Sequence, residues 1–391
     1  MFSRALLAAI LSLLLGPIVR AAEPLGPDQA RQAAQRALPM LLEGGDGSPK
    51  AEVKGQGCIS CHWGGTALFS LTLSQRGGLV DRKELGRFDN LLTKQSTKKL
   101  IYQLNGAAWE LAKNAGASAE KKAELQKFNG RKFNTPAELK KELEKVLPAK
   151  AIEKNIDEIV KKAANPNYYD TAARFQSAWL LISKAAANGP APADTAAKLV
   201  QQLLELQDKD GSFFEPGQPF FPCEAKEQRE CYTIWALLAL HTVEVKSAAV
   251  AAAIGRGEAF LKKIKPGQSL VAVALRTLRA HRANDAKATE ESTAALLNRQ
   301  KPDGGWSVWD WSKGNYESDA WATGFALYTL GALGRDHSDA AVQKAWAFLI
   351  SSQGDSGEWT VTNAKGKAAR IWSLWGTGWA VNGLLATSAK K

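Results

Sequence analysis

The sequence predicts an all-α protein in which helical hairpins close into an (α/α)6–7 toroid of inner and outer helices. Three observations predict it. A Gln-to-aromatic segment containing a glycine turn recurs three times, and each copy begins on an amphipathic helix. Each copy also leads into a helix that is apolar nearly all round. Because a helix without a polar face must be buried on most sides, we assign that second helix to the inner layer.

The recurring segment shares the same key positions in all copies. The copies run from Gln207 to Phe213, Gln300 to Trp306 and Gln353 to Trp359, and the following helices carry Thr233, Thr323 and Thr377. Thr66 occupies the equivalent position near the N-terminus. The glutamine ends the outer helix, so we expect its amide to donate to the carbonyls of that helix, with the aromatic ring stacked on the amide.

The copy from Lys344 to Trp359 resembles the QW repeat of squalene–hopene cyclases and related terpenoid-cyclase or protein-prenyltransferase-like toroids. The resemblance covers Gln201 to Leu385 and implies the toroid fold. It does not extend to chemistry, because the sequence has no Asp-x-Asp-Asp acid motif, no prenyltransferase Asp, Cys and His zinc set, and no Gly-Cys-Gly-Glu-Gln thioester stretch. We therefore expect no terpene cyclase activity.

Less regular hairpins complete the predicted organisation. They pair Gln29–Leu42 with Trp63–Leu73, Ala151–Ala163 with Tyr168–Ser183, and Ala248–Lys263 with Ser269–Arg279. The predicted layout is a signal peptide at 1–21 and a single toroid domain at 22–391. Within that domain, 28–80 is the first hairpin, 81–165 is a lysine-rich helical segment, and 166–391 carries the repeats.

The first residues predict export. Arg4 precedes an apolar run from Ala5 to Val19, and small residues flank Arg20, so we expect cleavage after Ala21. The run is shorter than the roughly 20 residues that span a bilayer, which favours a cleaved signal over a membrane anchor. The mature protein is expected to be soluble in the periplasm or an equivalent space, without stable membrane insertion.

The chain is basic, with a formal net charge of +12. Much of the excess is lysine between Lys94 and Lys162, where lysines alternate with glutamates at helical spacing. This alternation is typical of solvated helix faces, and an exported protein does not normally meet nucleic acid. We expect no nucleic-acid partner.

Cys58-Ile-Ser-Cys61-His62 is the sharpest chemical signal in the sequence. Two thiols at this spacing add to the vinyl groups of haem, and the adjacent imidazole ligates the iron. Export agrees with the motif, because c-type haem is attached outside the cytoplasm. The alternatives are a redox-active or structural dithiol, a metal site lacking a second ligand pair, or chance.

The surroundings of the motif resemble exported toroid proteins of planctomycete-like bacteria, which carry a Cys-x-x-Cys-His segment just before the first inner helix. The matching stretches are Ala37–Glu43, Gly57–His62 and Arg76–Gly78. The repeat alignment places His62 on the rim formed by the N-termini of the inner helices. Met40 ends an outer helix on the same rim, so it is the tentative distal ligand among the protein side chains. A packing role is favoured for Met40, and an open or water-bound iron is equally compatible with the motif.

Acidic and aromatic residues form a second, weaker candidate site. Glu230, Glu317, Asp319 and Asp170 are candidate catalytic carboxylates, because paired carboxylates cleave glycans. Capping of helix N-termini is the alternative role for Asp319 and Asp170. Trp309, Trp311 and Tyr316 are candidates for a sugar-binding or haem-edge surface.

The remaining cysteines, Cys223 and Cys231, flank a short polar loop and are a disulfide candidate in an exported protein. Together the observations predict a haem c protein that acts in electron transfer, or in a redox step with a partner protein. The alternative is a haem-free periplasmic toroid that binds a glycan or another small ligand or acts on polysaccharide, with Cys58 and Cys61 oxidised to each other.

Overall fold

We analysed the protein in a computed structural model. The structure describes residues 24–45, 65–86, 89, 102–103, 111–112, 114, 118–128, 131–133, 136–148, 155–156, 159, 163, 168–187, 193–214, 221–244, 247–308, 317–362 and 370–388. The side chains of 43–45, 102–103, 119, 132, 136, 168–174 and 370–371 lie outside this description.

The predicted all-α class is confirmed. The helices are α1 (Pro27–Gly45), α2 (Gly65–Arg76), α3 (Ala119–Gln126), α4 (Pro136–Val146), α5 (Tyr168–Ala186), α6 (Ala193–Leu204), α7 (Gln228–His241), α8 (Ala248–Lys263), α9 (Leu270–Arg282), α10 (Ala286–Leu297), α11 (Ala320–Ala332), α12 (Ala340–Ser352) and α13 (Arg370–Ser388). A 3-10 turn, Ala225–Glu227, precedes α7. Two-residue strands β1 (Tyr102–Gln103) and β2 (Lys132–Phe133) pair antiparallel.

Side-chain caps set several of the helix starts. Ser247 accepts a hydrogen bond from the Val250 N–H at the start of α8, and Ser269 accepts one from Ala272 at the start of α9. Asp339 does the same for α12. A hydroxyl or carboxylate at this position satisfies backbone donors that the first helical turn leaves open, which stabilises the helix by about 1 kcal/mol.

The helices separate into two kinds by burial. In α11 every residue from Ala320 to Leu327 is buried, and α2, α5, α7, α9 and α13 are buried over comparable lengths. In α8, by contrast, Val250, Ala253, Gly257 and Phe260 are buried on one face while the rest is partly or fully exposed. Burial therefore matches the predicted assignment of inner and outer helices.

The inner helices pack in chain order. α2 packs against α5, α5 against α7, α7 against α9, α9 against α11 and α11 against α13, and α13 packs back against α2. Each outer helix packs against the inner helix beside it in the chain, as α12 does against α11. The outer helices α12 and α1 also touch. The last hairpin of the chain is therefore in contact with the first.

The repeat segments share one set of contacts. The threonine hydroxyls of Thr233, Thr323 and Thr377 accept the backbone N–H of Phe213, Trp306 and Trp359, at 2.9, 3.0 and 3.1 Å. The indole N–H groups of Trp306 and Trp359 donate to the carbonyls of Leu296 and Leu349 near the ends of their own outer helices, each at 2.8 Å. Each turn is thus tied to the helix before it and the helix after it.

The glutamine of the repeat does not behave as expected. Instead of serving its own helix, the amide of Gln207 donates to Gly211 in the turn and to Ala253 in α8, at 3.0 and 2.8 Å. Gln300 makes the same contact with Ala341 in α12, and Gln353 with Ala33 in α1. The glutamine joins successive outer helices, while the tryptophan supplies the donor for the helix end.

The lysine-rich segment has a hydrophobic cluster of its own, separate from the main core. Its buried members are Ala112, Leu125, Phe128, Phe133, Leu139, Leu143, Val146, Leu147, Ile156, Ile159 and Ala163. Ile156, Ile159 and Ala163 were expected in the outer helix of a toroid hairpin, and they belong to this cluster instead. The segment between α2 and α5 thus has apolar packing of its own beneath its charged surface.

Within the part of the chain described, no helix combines the length and the apolar character that a membrane crossing requires.

Candidate functional site

The Cys58–His62 motif lies outside the described residues, as do Trp309, Trp311 and Tyr316. The structure describes the helices on either side of the motif. Helix α1 ends before it, α2 begins three residues after His62, and these helices pack against each other.

The start of α2 is held by its neighbours. A Cβ placed on Gly65 would lie 2.6 Å from Cγ of Trp179, so the first residue of α2 rests directly on that indole. One turn further on, the Ser70 hydroxyl donates to the carbonyl of Gly378 in α13, at 2.9 Å. Contacts with α5 and α13 therefore hold the start of α2 in place.

Trp179 belongs to a cluster of buried tryptophans at the centre of the inner layer. Its ring lies 4.5 Å from that of Trp235 and 5.7 Å from that of Trp379, between ring centroids. Trp321 lies 5.9 Å from Trp379. All four indoles are fully buried, and within the described residues their N–H groups have no acceptor. Nearby, the fully buried amide of Asn382 also lacks a partner for either of its polar atoms.

Met40, the tentative distal ligand, lies near the C-terminal end of α1 and is only 8% exposed. It follows Ala37 by three residues, on the flank of the buried face. Burial of Met40 fits both a packing role and a ligand role.

Asp319 is the N-cap of α11. Its Oδ1 accepts the Ala322 N–H at 2.8 Å, and its Oδ2 accepts the Val308 N–H at 2.7 Å. Burial raises the pKa of Asp319 to about 6, although these backbone hydrogen bonds act in the opposite direction. Both carboxylate oxygens hold the repeat turn against the helix start, so the observed contacts are those of a cap.

Glu230, another candidate acid, is 3% exposed and fully engaged. It accepts from Arg276 at 2.7 Å and from the Gly267 N–H at 2.6 Å. Beside it, Glu227 accepts the N–H groups of Gln268 and Ser269, at 2.6 and 3.1 Å. These two buried glutamates fasten the start of α9 to α7. Glu227 was not singled out from the sequence, and its three-residue spacing from Glu230 is the signal that was available.

Two further candidate acids, Glu317 and Asp170, complete the set predicted from the sequence. Glu317 is exposed at the end of the repeat loop before α11. Asp170 lies in the first turn of α5, and its side chain is outside the described part.

Cys223 and Cys231 are free thiols in this structure, both buried, and they form a hydrogen bond with each other. Burial raises the pKa of the Cys231 thiol well above its ordinary value. The two cysteines are close neighbours, and the disulfide stays a prediction.

No group of three or more His, Cys, Asp or Glu side chains is arranged to hold a metal ion within the described ranges. Neither a family model nor a curated protein matches the sequence.

Proposed function

We propose that this protein is an exported α/α toroid that carries one covalent haem c and transfers electrons to or from a partner protein. Cys58 and Cys61 would form the thioethers and His62 would be the proximal ligand. The observation that carries the proposal is the position of the motif. His62 lies three residues before an inner helix whose first residue rests on a buried tryptophan cluster.

The toroid rests on the closed series of helix contacts. The inner helices touch in chain order and α13 returns to α2. The outer layer supports the same closure, because the turn after α12 contacts α1 through Gln353 as the earlier turns contact α8 and α12. Helix α1 thus occupies the place of the next outer helix in the series.

The residues present fit a haem group in their chemistry. The two thiols have the spacing that covalent attachment needs, and the imidazole follows at the position of the proximal ligand. Trp179 lies buried beneath the start of the helix that follows the motif and fixes the position of that helix start. Met40 supplies a buried thioether on the partner helix of the same hairpin. When bound, the iron would supply a one-electron change.

Export remains part of this proposal, because covalent haem attachment takes place outside the cytoplasm. The glycan-active alternative is less well supported, since the contacts of Asp319 and Glu230 are structural. A general acid must be able to reach substrate, and both oxygens of each of these carboxylates are bound to protein groups.

Expression of the full precursor in a host with the c-type maturation system tests the proposal. A denaturing gel stained for haem peroxidase activity should show a haem band that Cys58→Ala/Cys61→Ala removes. Cys223→Ala/Cys231→Ala is the matched control, because it deletes the same number of thiols elsewhere and should keep the band. A colourless wild-type protein, made beside a cytochrome that matures normally, would overturn the proposal.

A further inference from the structure

A cavity of about 360 Å³ lies along α2 and against the C-terminal end of α5. It is lined by Leu68, Thr72, Gln75, Arg82, Leu85, Gly86, Asp89, Ser183, Lys184 and Ala187. The lining combines polar and apolar residues from α2, from the end of α5 and from the chain that follows α2. The volume corresponds to about twelve water molecules, at roughly 30 Å³ each, and lies in the range of small-molecule sites.

Two buried polar residues, Thr72 and Ser183, line this cavity, and each is 1% exposed. The Ser183 hydroxyl has no hydrogen-bond partner among the described residues. Hydroxyls elsewhere on the inner helices donate to the carbonyl four residues back, as Ser74 and Thr277 do at 2.8 and 3.0 Å. Ser183 does not use this alternative. A buried hydroxyl without a partner costs about 1–3 kcal/mol, which a ligand in the cavity would recover.

The charged side chains of the lining differ in their exposure and in their partners. Lys184 is 11% exposed and binds both oxygens of Asp89 at 2.7 Å, which ties α5 to Asp89. Arg82 is exposed at the edge, and none of the described residues pairs with its guanidinium. With two cations and one anion, the lining favours a negatively charged ligand. A guanidinium binds carboxylate or phosphate through two parallel hydrogen bonds.

We propose that this cavity binds a small hydroxylated anion, with its carboxylate or phosphate on Arg82 and a hydroxyl group on Ser183. A sugar acid and a sugar phosphate share this chemistry. The argument uses only the described lining residues, so the proposal does not depend on the proposed electron-transfer function.

Isothermal titration of the full-length mature protein with glucuronate, glucose 6-phosphate and neutral glucose tests the proposal. We expect saturable binding of one or both anions and none of glucose. Binding of glucuronate alone would assign the carboxylate, and binding of glucose 6-phosphate alone the phosphate. No saturable heat from either anion at millimolar concentrations, or equal binding of glucose, would overturn the proposal.

Variants locate the binding. Arg82→Gln should weaken the affinity about tenfold, equivalent to about 1.4 kcal/mol, whereas Lys83→Gln on the neighbouring exposed cation should not. Gly86 lines the cavity, and a Cβ there would meet nothing within 4 Å, so Gly86→Phe should fill the space and abolish binding.

Ser183→Ala gives a second test of the proposal that does not require the larger Gly86→Phe variant to fold. Because the hydroxyl has no partner in the described part of the chain, its removal should weaken binding several-fold while leaving the free energy of unfolding unchanged or slightly higher. Affinity that Ser183→Ala and Gly86→Phe both leave unchanged would place the binding elsewhere and contradict the proposal.

Discussion

The side-chain amide of Gln353 donates to the carbonyl of Ala33 at 2.8 Å, across 320 positions of the chain. The same amide donates to Gly357 at 2.7 Å, and its oxygen accepts from Arg36. One glutamine at the end of α12 therefore connects the last repeat turn to the first helix. The strength of this connection can be measured directly.

Gln353→Ala should lower the free energy of unfolding by about 2 kcal/mol, because it leaves the carbonyls of Ala33 and Gly357 without their donor. Gln300→Ala, which removes the equivalent contact to Ala341, should cost a similar amount. Urea unfolding followed by circular dichroism measures both. An open array of hairpins would show a cost at Gln300 and none at Gln353, which contradicts closure.

Gly357→Ala should be among the most destabilising single-methyl changes in the repeats. Gly357 has φ of +83°, and an added Cβ would overlap the carbonyl oxygen of Arg36 in α1. We expect a loss of at least about 2 kcal/mol, from backbone strain and from separation of the turn from the helix.

Gly255→Ala is the matched control for Gly357→Ala. Gly255 lies inside α8 with nothing within 4 Å of an added Cβ. Alanine is the better helix former, by about 1 kcal/mol, so this variant should be more stable than the wild type. The two glycine substitutions should therefore change the melting temperature in opposite directions, and equal shifts would contradict the assigned contact.

Asp319 should make stability depend on pH. Its pKa rises from 3.8 in the ordinary state to about 6 when buried, so the folded state holds the proton more tightly. The contribution to stability is complete below about pH 4 and is lost as the pH rises to about 6, amounting to roughly 3 kcal/mol.

Asp319→Asn separates ionisation from capping, because asparagine also caps helices and does not ionise. Its free energy of unfolding should lack the loss between about pH 4 and pH 6 that the wild type shows. Asp319→Ala should lack this loss too, and because it also loses the cap it should be less stable than Asp319→Asn by about 1 kcal/mol at every pH. Identical pH profiles for the wild type and the asparagine variant would show that Asp319 does not titrate in this range.

Asn382→Leu should raise the free energy of unfolding by about 1 kcal/mol, because the buried amide has no partner for its oxygen or its nitrogen within the described residues. Thr387→Val on the same helix is the contrasting variant. The Thr387 hydroxyl accepts from the Trp346 indole at 2.8 Å, so its removal should be destabilising. A loss of stability in Asn382→Leu would mean that a bound molecule or water serves the amide.

The sequence was informative where a contact lies within one hairpin. Aligning Thr233, Thr323 and Thr377 identified positions that make the same hydrogen bond in the structure. The partner of the glutamine was assigned wrongly. It lies 46 residues away for Gln207 and 41 for Gln300, on the next hairpin, and the local pattern contains no information about that distance.

In the candidate site, too, local contacts could be predicted from the sequence and contacts between distant segments could not. The sequence allowed both a catalytic and a capping role for Asp319, and the structure shows the contacts of a cap, because a carboxylate before a helix satisfies open backbone donors. The cavity around Ser183 was not predicted, since its lining comes from three separated stretches. The separate cluster under the lysine-rich surface was also missed, because its apolar residues are spaced widely among charged ones.

The contact between Gln353 and Ala33 also bears on how the chain is made. Helix α1 is synthesised long before its partners α12 and α13. The part of the apolar face of α1 that these helices cover therefore stays uncovered until both have been made. Contacts between such distant residues form late, because the loop they close is long. A chain truncated before α12 should therefore keep α1 exposed to chaperones and proteases, however well its middle hairpins fold.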